Sequence, residues 1–543
     1  MAILPQCSID PGRSSHRTGR PTGLPGPFRR CILPWPPSRG RPQPQPAPIQ
    51  VTSSPPPGRN SPCPCGSGKR FKACCGAISP PRGDGSPAPE APSPDALLRQ
   101  AASLQQAGRL DEAEALYREA ERLDPGNAFA THYLGVIAMQ RGDAALGARL
   151  MTQALLSRAD IPDFHANLGL CHKRLGRLEE AIACYRRAIA LDPQSHLAHN
   201  NLAVALVDAG RIPEALASFD QALALQPDYA EAHYNRGLAH LVSGDFTRGW
   251  PEYDWRARCR EFANRNLEPP GFTPWRGEPL SGKTLLVRRE QGHGDTFQFL
   301  RFMPELADRG ANLLVEVSDE LRELASTVDP RMTIVEPGRP PAGVDYYVNL
   351  MSVPRWLGVT LGTLPRSAPY LRPDPVRVRA WQSRLGAYPG RRVGLVWGGN
   401  PEHHNDRNRS CPLALMTALT GLDGYSWFSL QHGPAAGQLS SLEASRIVDL
   451  AGDLPAYSDT AAALFALDLV VTVDTSVAHL AGATGRTAWV LIPYAPDWRW
   501  LRDRPDSPWY PTLRLFRQKS AGDWSAVIDD LRRALSDPAA LRR

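Results

Sequence analysis

The chain has 543 residues, 42% of them apolar and 22% charged, with a formal charge of +7 and ten cysteines. That length implies roughly three or four domains of about 150 residues each, and neither a charge-free run of 18 apolar residues nor a basic segment leading into an apolar one is found, which argues against a membrane span and a signal peptide. The positive charge is local, with 12 Lys/Arg against 3 Asp/Glu in residues 1–92 and 50 against 52 in the rest, which argues against a body that binds nucleic acid sequence-specifically and leaves only weak tail contacts with anionic surfaces.

Residues 1–57 are rich in Pro, Gly, Ser and Arg and too poor in apolar side chains to offset the entropy of ordering them, so a disordered tail is expected, with a linker of the same kind over 78–92. Between them, "SPCPCGSGKRFKACCG" sets Cys63, Cys65, Cys74 and Cys75 in a C-x-C-x8-C-C pattern. Four thiolates suit a tetrahedral structural zinc, and Gly66 and Gly68 let the short loop fold back on the metal. Residues 58–77 resemble the SEC-C motif, a small zinc module at the end of the SecA translocation ATPase and in other bacterial proteins. The resemblance implies a contact site for a protein partner. Cys171, Cys184, Cys259 and Cys411 sit singly in patterned segments, which suits a reducing cytoplasm better than a disulfide scaffold.

From 93 to 260 the sequence repeats with a period of 34: Gly108, Gly142, Gly176, Gly210 and Gly244 are in step with Ala120, Ala154, Ala188 and Ala222. Small residues at Ala101, Gly135, Gly169, Ala203 and Gly237 keep the same period, and Pro125, Pro193 and Pro227 fall in register with it. This is the tetratricopeptide (TPR) pattern, in which small residues let paired helices approach, glycine ends the first helix and proline follows the second. Four full repeats are expected, and a fifth whose second helix becomes "GWPEYDWRARC", a cap joining the array to the next part of the chain. Asn167, Asn201 and Asn235 also lie 34 apart, on first helices. Carboxamides donate and accept, so they could hold an extended acceptor by its backbone, in a ladder that resembles that of the O-GlcNAc transferase superhelix; local hydrogen bonding within the repeats is the alternative.

Beyond 270, short β-branched runs alternate with helical stretches: "KTLLVRRE", "ANLLVEVS", "RMTIVEP", "DYYVNL", "RRVGLVWGG", "YSWFSLQ", "DLVVTVD" and "TAWVLIP". Strands separated by helices predict parallel sheets, here two Rossmann-like lobes over 270–375 and 390–535 with a cleft between them. The expected fold class is therefore a tail with a zinc motif, an α-solenoid, and an α/β region of two lobes.

Three strand-end motifs should face that cleft, because such sheets bind ligands beyond the carboxyl ends of their strands. In "EQGHGDTFQFLRF", Gly292 and Gly294 precede Asp295, which is either a helix cap or a working carboxylate. "VWGGNPEHHNDRNRS" offers Arg407 and Arg409 for a diphosphate, or a solvated loop. "VDTSVAHLAGATG" opens a helix with Asp474, Thr475 and Ser476 and carries His479; its free amides and hydroxyls suit a diphosphate, with Asp474 assigned to capping or to sugar hydroxyls. The aromatic loop 494–511 could close over a sugar or base by stacking, or form a domain interface.

From about Gly282 to Phe516, on "GHGD", "NRSCP" and "VDTSVAHLAGATG" followed by "WVLIP", the sequence resembles the heptosyltransferase-like glycosyltransferases of family 9, which have the GT-B fold. The resemblance implies Asp295 as catalytic base and Asp474, Thr475 and His479 at a nucleotide-sugar site, with Arg409 where the family often has Lys. It further implies inverting transfer from a nucleotide diphosphate sugar to a protein or glycan acceptor presented by the repeats. No Asp-x-Asp occurs in the cleft motifs, so no catalytic metal is expected. The first lobe is shorter than usual in the family, which leaves part of the acceptor site missing or supplied by the repeats. The rival expectation is an inactive TPR/GT-B scaffold or an export-related adaptor.

Overall fold

A computed structural model of the chain describes residues 92–339, 342–403, 405–441 and 446–537. The four cysteines proposed to hold zinc lie outside the described residues.

Ten helices pair into five units: α1 (Pro94–Gln106) with α2 (Leu110–Leu123), α3 (Ala128–Gln140) with α4 (Ala144–Ser157), α5 (Pro162–Arg174) with α6 (Leu178–Leu191), α7 (His196–Asp208) with α8 (Ile212–Leu225), and α9 (Ala230–Val242) with α10 (Phe246–Tyr253). The 34-residue glycines end the first helix of each unit at φ between 75° and 95°, a left-handed turn that glycine adopts without strain. The interior small residues have a different cause. A Cβ at Gly169 would lie 2.9 Å from the Tyr185 ring, and one at Gly237 would lie 2.6 Å from the Tyr253 backbone nitrogen, so each marks a close approach of the two helices in its unit. Ser93, Asn127, Asp143, Ser195 and Asp245 cap helix starts with their side chains.

The fifth unit departs from the pattern as expected of a cap. Pro251 lies inside the eight-residue α10, and the chain leaves it through 3-10 turns over Asp254–Arg258 and Arg260–Arg265. The first sheet comes next, with β1 (Thr284–Arg288), β2 (Asn312–Glu316), β3 (Met332–Val335) and β4 (Tyr346–Asn349) in the order β3-β2-β1-β4. The second has six strands, β5 (Arg391–Val396), β6 (Tyr425–Ser429), β7 (Ile447–Asp449), β8 (Leu469–Val473), β9 (Ala488–Ile492) and β10 (Leu513–Arg517), in the order β10-β9-β8-β5-β6-β7. All pairings within both sheets are parallel. The eight strands read from the sequence are present. Two more, β7 and β10, are the edges of the larger sheet.

Solenoid and sheets share apolar packing, because one continuous core runs from Ile212 and Leu238 in the repeats to Leu285 and Val287 in the first sheet and Val470 and Val490 in the second. Its joint is aromatic. The Trp250 indole N–H donates to the Val359 carbonyl at 2.9 Å, and the Trp250 ring meets Trp498 edge-on with centroids 5.4 Å apart. Trp498, Trp500 and Trp509 are all almost completely buried, so the aromatic loop 494–511 serves here as an interface between parts of the chain. Among the described residues, no helix is long and apolar enough to cross a membrane.

Candidate functional site

Each sheet has one place where successive connections leave in opposite directions: between β1 and β4 in the first, between β5 and β8 in the second. Such switch points open a crevice at the carboxyl ends of the strands. The two crevices are furnished differently.

In the first sheet, the solenoid's cap occupies the crevice. Arg256, from the turn after α10, donates to both oxygens of Glu290 just beyond β1, at 2.8 Å each, and to Ser352 Oγ beyond β4 at 2.8 Å. The Glu290 carboxylate also accepts the Met351 backbone N–H at 2.7 Å, and Asp254 accepts from Arg256 at 2.7 Å. Arg256 and Glu290 are both about 1% exposed at the side chain. Two charges buried so completely are tolerated only because each is paired and hydrogen-bonded.

The second sheet's crevice lies between the Gly398–Gly399 turn after β5 and the residues after β8. Gln431 fixes that turn: its Oε1 accepts from the backbone N–H groups of Trp397 and Gly398 at 2.9 and 2.8 Å, while its Nε2 donates to the Gly398 carbonyl at 3.0 Å. Asp406 and Arg409 pack directly on this turn: a Cβ at Gly399 would clash with Asp406 Oδ1 and fall 2.5 Å from the Arg409 guanidinium. Arg409 in turn donates to the Asp474 carbonyl at 3.1 Å and to Asp406 at 3.2 Å, crossing from the β5 loop to the β8 loop. Arg407 is exposed.

Thr475 is the N-cap of the helix Ser476–Ala483 without a side-chain cap bond; its hydroxyl lies 3.0 Å from that of Thr472, and the Ser476 hydroxyl lies 3.0 Å from Tyr457 Oη. His479 is buried, 3.0 Å from the Tyr510 hydroxyl and stacked on Trp500. Burial, with Arg499 nearby, pushes its pKa down to about 3, so it is a neutral hydrogen-bonding group at ordinary pH. Asp474 is half-buried, and desolvation with Asp497 beside it raises its carboxyl to about 6 against the pull of Arg409 and Arg499.

The two sheets meet at their helix starts. Gly294, on the helix His293–Phe299 after β1, packs on the helix after β8 so closely that a Cβ would fall 2.9 Å from His479 Cδ2 and 3.4 Å from Ser476 Cα. Asp295 is the next residue after this contact of Gly294 with Ser476 and His479. It is also engaged. One carboxylate oxygen accepts the Gly292 N–H at 2.9 Å, which makes it a helix-start acceptor, and the other is ion-paired with Arg499. Arg499 is buried and reaches Gln298 Oε1 at 2.9 Å and Asp497 at 2.8 Å as well. Arg499 and Asp497 escaped sequence reasoning, although "PDWRW" carries both, because their partners lie 204 and 2 residues away and only the first distance makes them part of the cleft.

The repeat asparagines are interior. Asn167, Asn201 and Asn235 are between 0% and 6% exposed. Asn167 Nδ2 lies 3.1 Å from His132 Nε2 one repeat earlier, and Asn235 donates at 3.2 Å to Asn200, which itself donates to Asn201 at 3.4 Å. The carboxamides thus link successive repeats, and a peptide could be held by them only after displacing some of these bonds. The buried Asn201 Nδ2 and Asn235 Oδ1 make no hydrogen bond among the described residues.

Tetratricopeptide repeat profiles match residues 94–127, 162–195, 184–217 and 205–244, and the SEC-C motif matches residues 59–77. TPR repeats and a SEC-C motif are thus present in this chain. Protein FlbA of Caulobacter vibrioides (strain ATCC 19089 / CIP 103742 / CB 15) is 27% identical over 327 residues, 55% of this chain and 54% of FlbA. The chain spans about half the length of that curated relative. Among solved structures, MamA is 19% identical and is matched over 30% of this chain and 96% of its own, with a TM-score of 0.27. YrrB, described as a TPR protein with an unusual peptide-binding site, is 22% identical over 30% of this chain and 85% of its own, also with a TM-score of 0.27. A thermophilic TPR protein of Thermus thermophilus is 20% identical over 31% of this chain and 92% of its own, with a TM-score of 0.28.

Proposed function

We propose that the chain is a glycosyltransferase of the GT-B type, acting in the cytoplasm, which moves a sugar from a nucleotide diphosphate sugar to a hydroxyl of a protein or glycan brought by the repeats. The observation that carries this reading is the meeting of two parallel sheets at their helix starts, with Asp295 on one side and the Arg409, Thr475 and Ser476 crevice of the β5/β8 switch point on the other. The diphosphate sits at the start of the Ser476–Ala483 helix, where amide N–H groups and the helix dipole favour an anion, with Arg409 in reach for a bidentate contact. Asp295 takes the proton of the acceptor hydroxyl as the bond from the anomeric carbon to the phosphate oxygen breaks and that to the acceptor oxygen forms with inversion. His479, neutral and fixed by Tyr510, shapes the donor side without supplying charge. Asp295 must exchange Arg499 for the acceptor, and a bound diphosphate is an anion able to compete for that guanidinium.

The second reading, a scaffold whose working parts are the repeats and the zinc motif, is favoured by one specific observation: Asp295 is already satisfied by Gly292 and Arg499, and Gly294 closes onto His479. A thermal-stability screen against nucleotide sugars separates the two. Under the transferase reading one donor stabilises the chain, by about 2.7 kcal/mol at 100 times its dissociation constant. Asp295→Asn then keeps donor affinity and slows transfer by roughly 10² to 10⁴. If no nucleotide sugar shifts the transition, the scaffold reading replaces the enzyme.

A further inference from the structure

A groove of about 760 Å³ lies beyond the carboxyl ends of β9 and β10, between the loop 502–505 and the C-terminal half of the helix Trp524–Ser536. Six cations line it, Arg502, Arg504, Arg514, Arg517, Lys519 and Arg533, together with the acids Asp503, Asp530 and Asp537. Their compensation is incomplete. Arg504 pairs with Asp506, and Arg533 and Lys519 share Asp530. Arg502 donates to the Val207 carbonyl at 3.2 Å, and Arg514 lies over the rings of Trp489 and Phe516. Arg517 directs its donors to the carbonyls of Arg504, Leu501 and Trp500. Among the described residues, none of these three guanidiniums forms an ion pair with a carboxylate. Burial, with Arg502 and Arg504 alongside, lowers Arg517 to about 10 against the pull of Asp503 and Asp506.

A second observation concerns the same groove. Gln518, which lines it, is 6% exposed; its Oε1 accepts the N–H groups of Tyr494 and Gly522 at 3.1 and 3.2 Å, while its buried Nε2 donates to nothing among the described residues. An unused buried donor in the same lining as three arginines without carboxylate partners suits a multiply charged oxyanion, because phosphate oxygens accept from amide and guanidinium alike. Protection of the edge strand by charge explains cations on β10, but not a buried amide donor without an acceptor.

We propose that this groove is a second anion site, distinct from the β5/β8 crevice, which binds a small molecule bearing a diphosphate group. The volume falls in the range of small-molecule sites. The site stands whether or not the chain transfers sugars, since none of its residues belongs to the crevice.

The test is calorimetric titration of the full chain with inorganic pyrophosphate in low salt without divalent metal. One site per chain is expected in the groove, separate from any at the start of the Ser476–Ala483 helix. Arg502→Gln with Arg514→Gln weakens it at least about tenfold, the scale of a lost charged hydrogen bond. Gln518→Glu, which keeps both accepted backbone bonds and replaces the unpartnered donor by an acceptor, weakens it as much with the melting temperature of the chain preserved. Thr475→Val leaves it unchanged. The proposal is overturned if pyrophosphate does not bind at millimolar concentration, or if its affinity follows Thr475→Val and ignores the groove substitutions.

Discussion

Asp474 shows how a single side chain can be read for its identity but not for its charge. Its place after β8 and before a helix suggested a cap or a sugar contact; its environment decides when it is ionised. Because its carboxyl is raised to about 6 in the folded chain, mainly by burial and next by Asp497, the folded state holds that proton more tightly than an unfolded aspartate near pKa 3.9. The sign follows from linkage: below about pH 4 the shift has no effect, stability falls as pH rises from there through about 6, and the penalty is complete above it. Asp474→Asn removes the penalty. Thermal denaturation should therefore find this variant more stable than the parent at pH 7.5 and equal to it near pH 4. A lower melting temperature at pH 7.5 would show that the ionised carboxylate stabilises the loop instead. Asp497, two residues before Arg499, is the opposite case: burial pushes it up, yet the adjacent guanidinium holds it below the usual carboxylate range.

At the scale of elements, the strands recovered from sequence and the two that were missed differ in position. Central strands β8 and β9 are buried along their whole length and read as apolar runs, broken only by Thr472. β7 has three residues, and β10 alternates exposed Arg514 with buried Leu515 and Phe516. Both lie at the edges of the sheet, where shortness and charge guard against pairing with another chain and also erase the sequence signal. The fifth repeat makes the converse point. Its altered second helix was legible as a cap, but Arg256 gains its meaning only from Glu290, 34 residues on, and from Ser352, 96 residues on. Arg256→Met alone leaves the Glu290 carboxylate buried without a counter-charge and should destabilise the chain by about 3–5 kcal/mol in chemical denaturation. Arg256→Met combined with Glu290→Leu should recover much of that loss. If the double variant is no better than the single one, the pair's value lies in its hydrogen bonds to Met351 and Ser352 rather than in charge compensation.

For the molecule as a whole, the shared core between the repeats and both sheets makes the solenoid part of the α/β body. The SEC-C motif at 59–77 stands apart in sequence from this body. Residues 55–80 should bind one zinc through Cys63, Cys65, Cys74 and Cys75, with Cys74→Ser weakening the metal greatly while the melting of the rest is unchanged. Metal analysis of protein purified without chelators checks this; finding no zinc would remove the claim. What the sequence determined by itself is whatever repeats or runs locally: the 34-residue period, the cysteine spacing, the buried central strands and the glycine turn that opens the His293–Phe299 helix. Their causes are short-range, set by backbone conformation and by which face of one element is apolar. Only the tertiary structure decided that Arg499 engages Asp295, that Arg256 fills the first switch point, that the repeat asparagines are interior, and that three arginines share a groove without pairing to a carboxylate among the described residues. Each of these depends on which charges and amides are brought together from distant segments, and desolvation and pairing act through space rather than along the chain.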